Sequence, residues 1–307
     1  MPGAWLVGGI ALAGAAPWLG ELLRKPVRRC RAEAPGAFLD LPDGKVHCRW
    51  QGPEQGPVAV LVHGLTTPEF VWDEVAKRLV SEGWRVLSYD LYGRGYSDRP
   101  HGPQDVAFFI RQLKGVLQDQ GVADGFTLVG YSMGGAISAG YAAAFPGRME
   151  RVVLLAPAGM GHELGTAAAL SRLPLPLAEW LMLLLFPRKF RQAITAEIAA
   201  EQGQPGVPEA ITSGQRAQLE RRGYVRSVLA SLRGMLTQDF EPFHRALAEA
   251  KVPVTAIWGA EDETIPIAAK DVLAGWNPQT HHVVIDGAGH GLAYTHADQV
   301  VRAFLEG

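Results

Sequence analysis

With 307 residues, 48% of them apolar, the chain is long enough to bury a substantial core, either as one domain carrying an insertion or as two domains. Its formal net charge of −2, with no long basic stripe in the body of the sequence, argues against a nucleic-acid partner and suits a small neutral or weakly charged substrate. The two cysteines, Cys30 and Cys48, make neither a disulfide framework nor a C-x-x-C metal pair and read as ordinary thiols.

Residues 1–35 form an apolar N-terminal segment with a basic flank. The first 20 residues carry no charge and contain WLVGGIALAGAAPWLG, and Arg24, Lys25, Arg28, Arg29 and Arg31 follow. The apolar run sits at the short end of the roughly 17–25 residues that cross a bilayer, and it contains several glycines and Pro17. Positive charge after the run, not before it, is unlike a secretory signal and favours keeping that side in the cytoplasm. The preferred expectation is therefore membrane association through residues 4–23 with a cytoplasmic catalytic body. A cleaved signal ending near Ala13-Gly14-Ala15, giving a secreted or periplasmic protein, is one alternative, and a helix packed on the body of the protein is the other.

Beyond Pro35 the pattern becomes short apolar runs separated by turns. FLDL, Pro42-Asp43-Gly44 and KVHCRW predict a hairpin. Strands are then predicted over 57–63, 84–91, 126–131 and 151–157, alternating with helices near 70–82, 104–120 and 133–145. Continuous apolar strands alternating with helices mean an α/β fold whose mostly parallel sheet is covered on both faces. The alternation stops at Pro157 and resumes with a strand over 252–259, a helix near 266–275, a strand over 281–287 and a closing helix near 294–306. Between them, residues 158–248 show helical spacing broken at Pro174, Pro176, Pro187 and GQPGVP, which predicts an inserted helical cap. The core is accordingly split into 36–157 and 249–307, with no internal repeat or low-complexity tract.

Gly130-Tyr131-Ser132-Met133-Gly134 matches G-x-S-x-G, and its setting gives the match weight. It follows the apolar strand FTLV and opens a helix of small residues, the strand-turn-helix context of a nucleophile elbow, so Ser132 is the candidate nucleophile. A serine hydroxyl needs a base within hydrogen-bond reach, and the base needs a partner to hold its tautomer. Among nine histidines, His290 lies in the glycine-rich stretch Asp286–Gly291, between the last strand and the last helix, where ligands and catalytic groups gather. His281 and His282 begin a strand and His47 lies in the early hairpin. For His101, His162, His244 and His296 a solvated imidazole is the default. The acid comes from Gly259-Ala260-Glu261-Asp262-Glu263, after another strand; Asp262 is chosen, with Glu261 and Glu263 as alternatives. An oxyanion needs backbone N–H donors. His63-Gly64-Leu65 supplies one from Leu65, and Met133 supplies the other, with His63 itself a loop brace.

Taken together, VHGL at 62–65, DLYGRGYSDRP at 90–100, GYSMGG at 130–135, GAEDETIP at 259–266 and GAGH at 287–290 resemble the α/β-hydrolase superfamily across nearly all of residues 38–307. The chain order Ser132, Asp262, His290 agrees with that resemblance. A serine nucleophile argues against the haloalkane dehalogenase and epoxide hydrolase branches, where a carboxylate attacks carbon. The resemblance implies a carboxylesterase or monoacylglycerol lipase needing no metal or cofactor, with carbon–carbon bond hydrolase, thioesterase and cofactor-free perhydrolase as alternatives and a non-catalytic binder last. An apolar anchor ahead of a capped core also looks like the membrane-bound monoacylglycerol lipases. The cap stretch Leu173 to Phe186 carries one charge, Glu179, and is expected either to pack within the cap or to wall an acyl site. An ester or lipid of moderate hydrophobicity is the expected small-molecule substrate.

Overall fold

The computed structural model describes residues 14–161, 165–200 and 207–307. Eight strands make one sheet: β1 (Ala37–Leu41), β2 (Gly44–Gln51), β3 (Val58–Val62), β4 (Arg85–Tyr89), β5 (Phe126–Tyr131), β6 (Met149–Leu155), β7 (Val254–Gly259) and β8 (His281–Ile285), in the order β1-β2-β4-β3-β5-β6-β7-β8. β1 and β2 pair antiparallel, as do β2 and β4; every other pairing is parallel. Parallel strands need long crossovers, and these are the helices α1 (Asp73–Ser81), α2 (Val106–Asp119) and α3 (Met133–Ala144). Every residue of β5 and β7 is buried, which explains why those stretches read as unbroken apolar runs in the sequence.

Sequence composition also explains the central helix. α3 is MGGAISAGYAAA, buried from Met133 to Ala142, and its small side chains let it lie directly on the sheet beneath α2 and a later helix. α2 starts at Asp105, whose carboxylate accepts the Phe108 N–H at 2.8 Å and so satisfies one of the helix's free donors.

Between β6 and β7 lie α4 (Gly165–Ser171), α5 (Leu175–Ala200), α6 (Glu209–Leu219), α7 (Tyr224–Gly234) and α8 (Glu241–Glu249). α8 packs on α3, and Phe240 and Leu247 belong to the main apolar core. A second apolar cluster, built on Ala178, Met182, Leu183, Tyr224, Val228 and Leu232, lies among α5 and α7. The sequence places a helix break at Pro187, yet α5 continues through it. Packing overrides the local penalty there: Phe186 stacks on Phe190 with ring centroids 5.4 Å apart, and both rings lie against the second cluster. α9 (Ala269–Trp276), α10 (Leu292–Thr295) and α11 (Ala297–Glu306) complete the chain.

Residues 14–23 are helical and rest on the cap helix α5. The Trp18 indole N–H donates to Glu179 at 3.0 Å, and the Trp180 indole N–H donates to the Gly14 carbonyl at 2.7 Å. Leu19, Leu22 and Leu23 stay exposed. Among the described residues no helix is long and apolar enough to cross a membrane; residues 4–13 of the expected anchor lie outside the described residues.

Candidate active site

Ser132 stands between β5 and α3 with φ 55° and ψ −120°, a left-handed conformation costly for a side chain with a Cβ and held only because its surroundings dictate it. The flanking glycines show why the turn can be this tight. A Cβ on Gly130 would come 2.4 Å from the Gly134 carbonyl oxygen, and one on Gly134 would come 2.0 Å from that of Val62. Strand and helix therefore touch backbone to backbone, and the serine hydroxyl is carried to the carboxyl edge of the sheet.

Three sequence-selected side chains meet there. His290 Nε2 lies 3.1 Å from Ser132 Oγ, and His290 Nδ1 lies 2.8 Å from Asp262 Oδ2. The remaining carboxylate oxygen of Asp262 accepts the backbone N–H groups of Thr264 and Ile265, each at 2.8 Å. Asp262 is thus buried with its acceptors occupied, whereas Glu261 and Glu263 are exposed. His290 is fixed further by Tyr131, whose hydroxyl donates to the His290 carbonyl at 2.8 Å and whose ring lies 5.2 Å from the imidazole.

The two sequence-selected backbone donors flank the serine. Met133 opens α3 and is buried, and Leu65 follows Gly64, whose added Cβ would approach Ser132 Cβ to 3.2 Å. Among the described residues neither the Leu65 nor the Met133 N–H donates to a protein acceptor. A buried amide without an acceptor, like that of Met133, is uncommon, and with the half-buried Leu65 amide beside the same strained hydroxyl it makes an environment that favours negative charge on a third atom.

His63 takes the bracing position expected of it. Its Nε2 accepts the Leu91 N–H at 2.9 Å and its Nδ1 donates to the Gly64 carbonyl at 2.8 Å. Burial holds its pKa down at about 4, so it is a neutral strut between the loop and the end of β4.

Other assignments need correction. His244 and His296, expected to be solvated, are buried, and burial pushes the His244 pKa down to about 4. Both fall on the inward face of their segments, a placement set by tertiary packing. His162 lies outside the described residues. His47 is no ordinary hairpin residue: it is fully buried, and its Nδ1 lies 2.8 Å from Asp90 Oδ2.

Sequence reasoning also passed over Arg94. Its side chain is entirely buried and has no carboxylate partner among the described residues. Its Nε donates to the Leu65 carbonyl at 3.0 Å, Nη1 to Gln104 Oε1 at 2.8 Å and Nη2 to Ser231 Oγ on α7 at 2.8 Å. One guanidinium thereby ties the Leu65 loop to the helix above it. The signal was a cation inside the apolar-flanked motif DLYGRGYSDRP, where a solvated charge is out of place.

Above Ser132 and His290 opens a cavity of about 410 Å³, a size suited to a small organic ligand. Its far wall is apolar, formed by Ala167, Phe186, Val228, Leu232 and Leu236, and among the described residues Glu263 is the one carboxylate on its lining. Of the apolar cap stretch, Ala178, Met182 and Leu183 pack inside the cap, Leu175 and Leu177 are exposed, and Phe186 reaches the cavity.

A family model for the alpha/beta hydrolase fold matches residues 57–297. The chain belongs to the alpha/beta hydrolase family. Among curated relatives of this hydrolase, the pimeloyl-[acyl-carrier protein] methyl ester esterase of Aliivibrio salmonicida is 26% identical, over 82% of this chain and 92% of its own. The 2-hydroxy-6-oxo-6-phenylhexa-2,4-dienoate hydrolase of Burkholderia cepacia is 24% identical, over 82% and 87%. Among solved structures, the enol-lactonase from Burkholderia xenovorans superposes with a TM-score of 0.74 at 20% identity, covering 88% of this chain and 98% of that one. The relatives named thus include a methyl ester esterase and a dienoate hydrolase.

Proposed function

We propose that the protein is a serine hydrolase that cleaves carboxylic esters of moderately apolar acyl groups through an acyl-enzyme on Ser132. The observation that carries this reading is the unbroken relay Asp262, His290, Ser132 opening on an apolar cavity. In the proposed reaction Ser132 Oγ attacks the ester carbonyl as His290 Nε2 takes its proton. The amides of Leu65 and Met133 hold the oxygen that becomes negative. His290 then returns the proton to the departing alcohol. Water, deprotonated by the same imidazole, cleaves the acyl-enzyme, releasing the acid and restoring the Ser132 hydroxyl. Asp262 remains ionised throughout and steadies the imidazolium.

Carbon–carbon hydrolysis of ring-cleavage products is the second reading, favoured by the activity named for the Burkholderia cepacia relative. Such dienoates are anionic. No arginine or lysine lines the cavity among the described residues, and Glu263 would repel a second carboxylate, which favours the neutral ester. We further assign residues 4–23 to membrane association, on the support of the uncharged N-terminal run and the exposed Leu19, Leu22 and Leu23.

The test is hydrolysis of p-nitrophenyl esters from acetate to palmitate beside a ring-cleavage dienoate, with Ser132→Ala as control. Turnover of short or medium esters that vanishes in the variant supports the proposal. A folded wild type that cleaves the dienoate and none of the esters overturns it.

A further inference from the structure

A second cavity, of about 350 Å³, lies away from Ser132 where Pro26–Arg28, the loop after Asp98 and the start of α7 converge. Its walls carry Arg28, Arg99, Arg222 and Arg226, with Asp98 as the one carboxylate on the lining among the described residues. The charges do not cancel. Asp98 is already taken by Arg31 at 2.6 Å, and Arg226 is paired with Glu179 at 2.7 Å. Arg28, Arg99 and Arg222 have no carboxylate within 4.0 Å among the described residues, and neither has the neighbouring Arg221.

Donors are left over as well. Arg99 Nε, Arg222 Nε and Arg221 Nη1 are buried without a hydrogen-bond acceptor among the described residues, and the Arg221 residue as a whole is only 7% exposed. Burial and the repulsion of Arg221 push the Arg99 pKa down to about 10, which still leaves it charged at neutral pH. The Arg99 Nη groups donate to the Ser97 and Gly95 carbonyls, Arg222 Nη2 donates to the Leu22 carbonyl and the Arg221 guanidinium lies over the Tyr96 ring, but the three left-over N–H groups meet no acceptor, and burying such groups is costly. The N-terminus of α7, an 11-residue helix, borders the same space at Gly223, but its Gly223 N–H already donates to the buried Glu21 carboxylate, so the arginines carry the positive field.

We propose that this arginine-lined cavity binds a phosphate group, either free or as the headgroup of an anionic lipid. Guanidinium forks match tetrahedral oxyanions, and three uncompensated cations suit a phosphate better than a single carboxylate. The apolar segment preceding Arg24 makes a lipid headgroup a natural source, since the basic flank Pro26–Arg28 forms one wall. The inference is independent of the ester-hydrolysis reading: it uses none of the side chains around Ser132.

The experiment is calorimetric titration of the full-length protein with inorganic phosphate, against chloride at matched ionic strength. Sedimentation with phosphatidylglycerol or phosphatidylcholine vesicles runs in parallel. Saturable phosphate binding is expected, with Kd raised about tenfold by Arg222→Gln or Arg28→Gln, the loss of one charge-assisted contact. Arg28 is exposed, so its replacement leaves packing intact, while Arg245→Gln, remote on α8, serves as a charge-matched control without effect. Preference for phosphatidylglycerol that disappears in the Arg28 and Arg222 variants identifies the lipid source, and phosphate binding without that preference identifies the free one. Absence of saturable binding to either probe, or binding that all three variants share with the wild type, overturns the proposal.

Discussion

The protein contains two histidine–aspartate pairs with the same contact, Nδ1 to Oδ2 at 2.8 Å, and their surroundings give them opposite properties. In the pair His290–Asp262 the imidazole side chain is 24% exposed, and its second nitrogen faces the hydroxyl of a serine held in a strained turn. In the pair His47–Asp90 both side chains are buried, and the second nitrogen faces the Pro35 carbonyl. A hydroxyl can give up a proton and a carbonyl can only accept one. His290 is therefore free to act as a base, whereas His47 must donate from both nitrogens and is an imidazolium locked into an ion pair. A dyad becomes reactive through what its third partner can do.

The largest effects should separate the pairs by kind. Asp262→Asn keeps the shape of the site but favours the wrong tautomer of His290, and kcat is expected to fall on the order of 10⁴-fold with little change in melting temperature. Asp90→Asn leaves the His47 charge buried without its counter-ion, so a loss of about 3–5 kcal/mol of stability is expected, with kcat per folded molecule largely kept. Steady-state kinetics and denaturant unfolding on both variants check this. Loss of activity in a fully folded Asp90→Asn protein would show that the buried pair takes part in the chemistry.

A smaller effect should come from Arg94, which joins the two regions by gripping the Leu65 carbonyl while reaching Ser231 on α7. In Arg94→Met the Leu65 amide loses its fixed aim. Whole loss of an oxyanion donor costs on the order of 100–1,000-fold in kcat, so misalignment should cost roughly 10–100-fold, with KM nearly unchanged because the contact strengthens only in the transition state. A rise in KM at constant kcat would instead make Arg94 a cap strut alone.

Much of the His290–Asp262 pair that the proposed function uses was legible in the sequence, and almost none of the buried one. Ser132 and His290 each follow an apolar strand inside a glycine-rich turn, and Asp262 follows one inside an acidic turn opened by Gly259, so local pattern marks them. Leu65 and Met133 follow from the same turns. His47 and Arg94 gain their roles from partners distant in sequence, such as Asp90 for His47 and Leu65 and Ser231 for Arg94, and although Asp90 and Arg94 lie inside the motif DLYGRGYSDRP, local pattern does not say what they touch. The same limit applies to Pro187, where a sound local rule yields to the stacking of Phe186 on Phe190.

The smallest effect, and the sharpest test of the charge on His47, is in the pH dependence of stability. Burial alone would lower the His47 pKa, but the hydrogen bond and charge of Asp90, with the Pro35 carbonyl, raise it above its ordinary 6.5. Asp90 is itself held down at about 2: burial works against its charge, and the His47 contact prevails. A raised histidine contributes stability that is full below the unfolded value of 6.5 and is lost as pH climbs through the folded one. A lowered carboxylate contributes stability that is full above its unfolded 3.8 and is lost as pH falls toward 2. His63 and His244, held near 4 by burial, also lose stability on the acid side, and Glu69, raised to about 7 mainly by burial, loses stability as pH rises from its unfolded 4.5 through 7, which overlaps the start of the His47 range. Comparison with His47→Gln removes the His63 and His244 contributions, while those of Asp90 and Glu69, both drawn down by the His47 charge, change together with it. The gap in melting temperature between wild type and variant should be widest below pH 6.5 and close progressively as pH rises above it through the raised folded-state value. A gap that stays constant over that range would mean that His47 is neutral in the folded protein, and the contrast between the two pairs would then lie in burial alone.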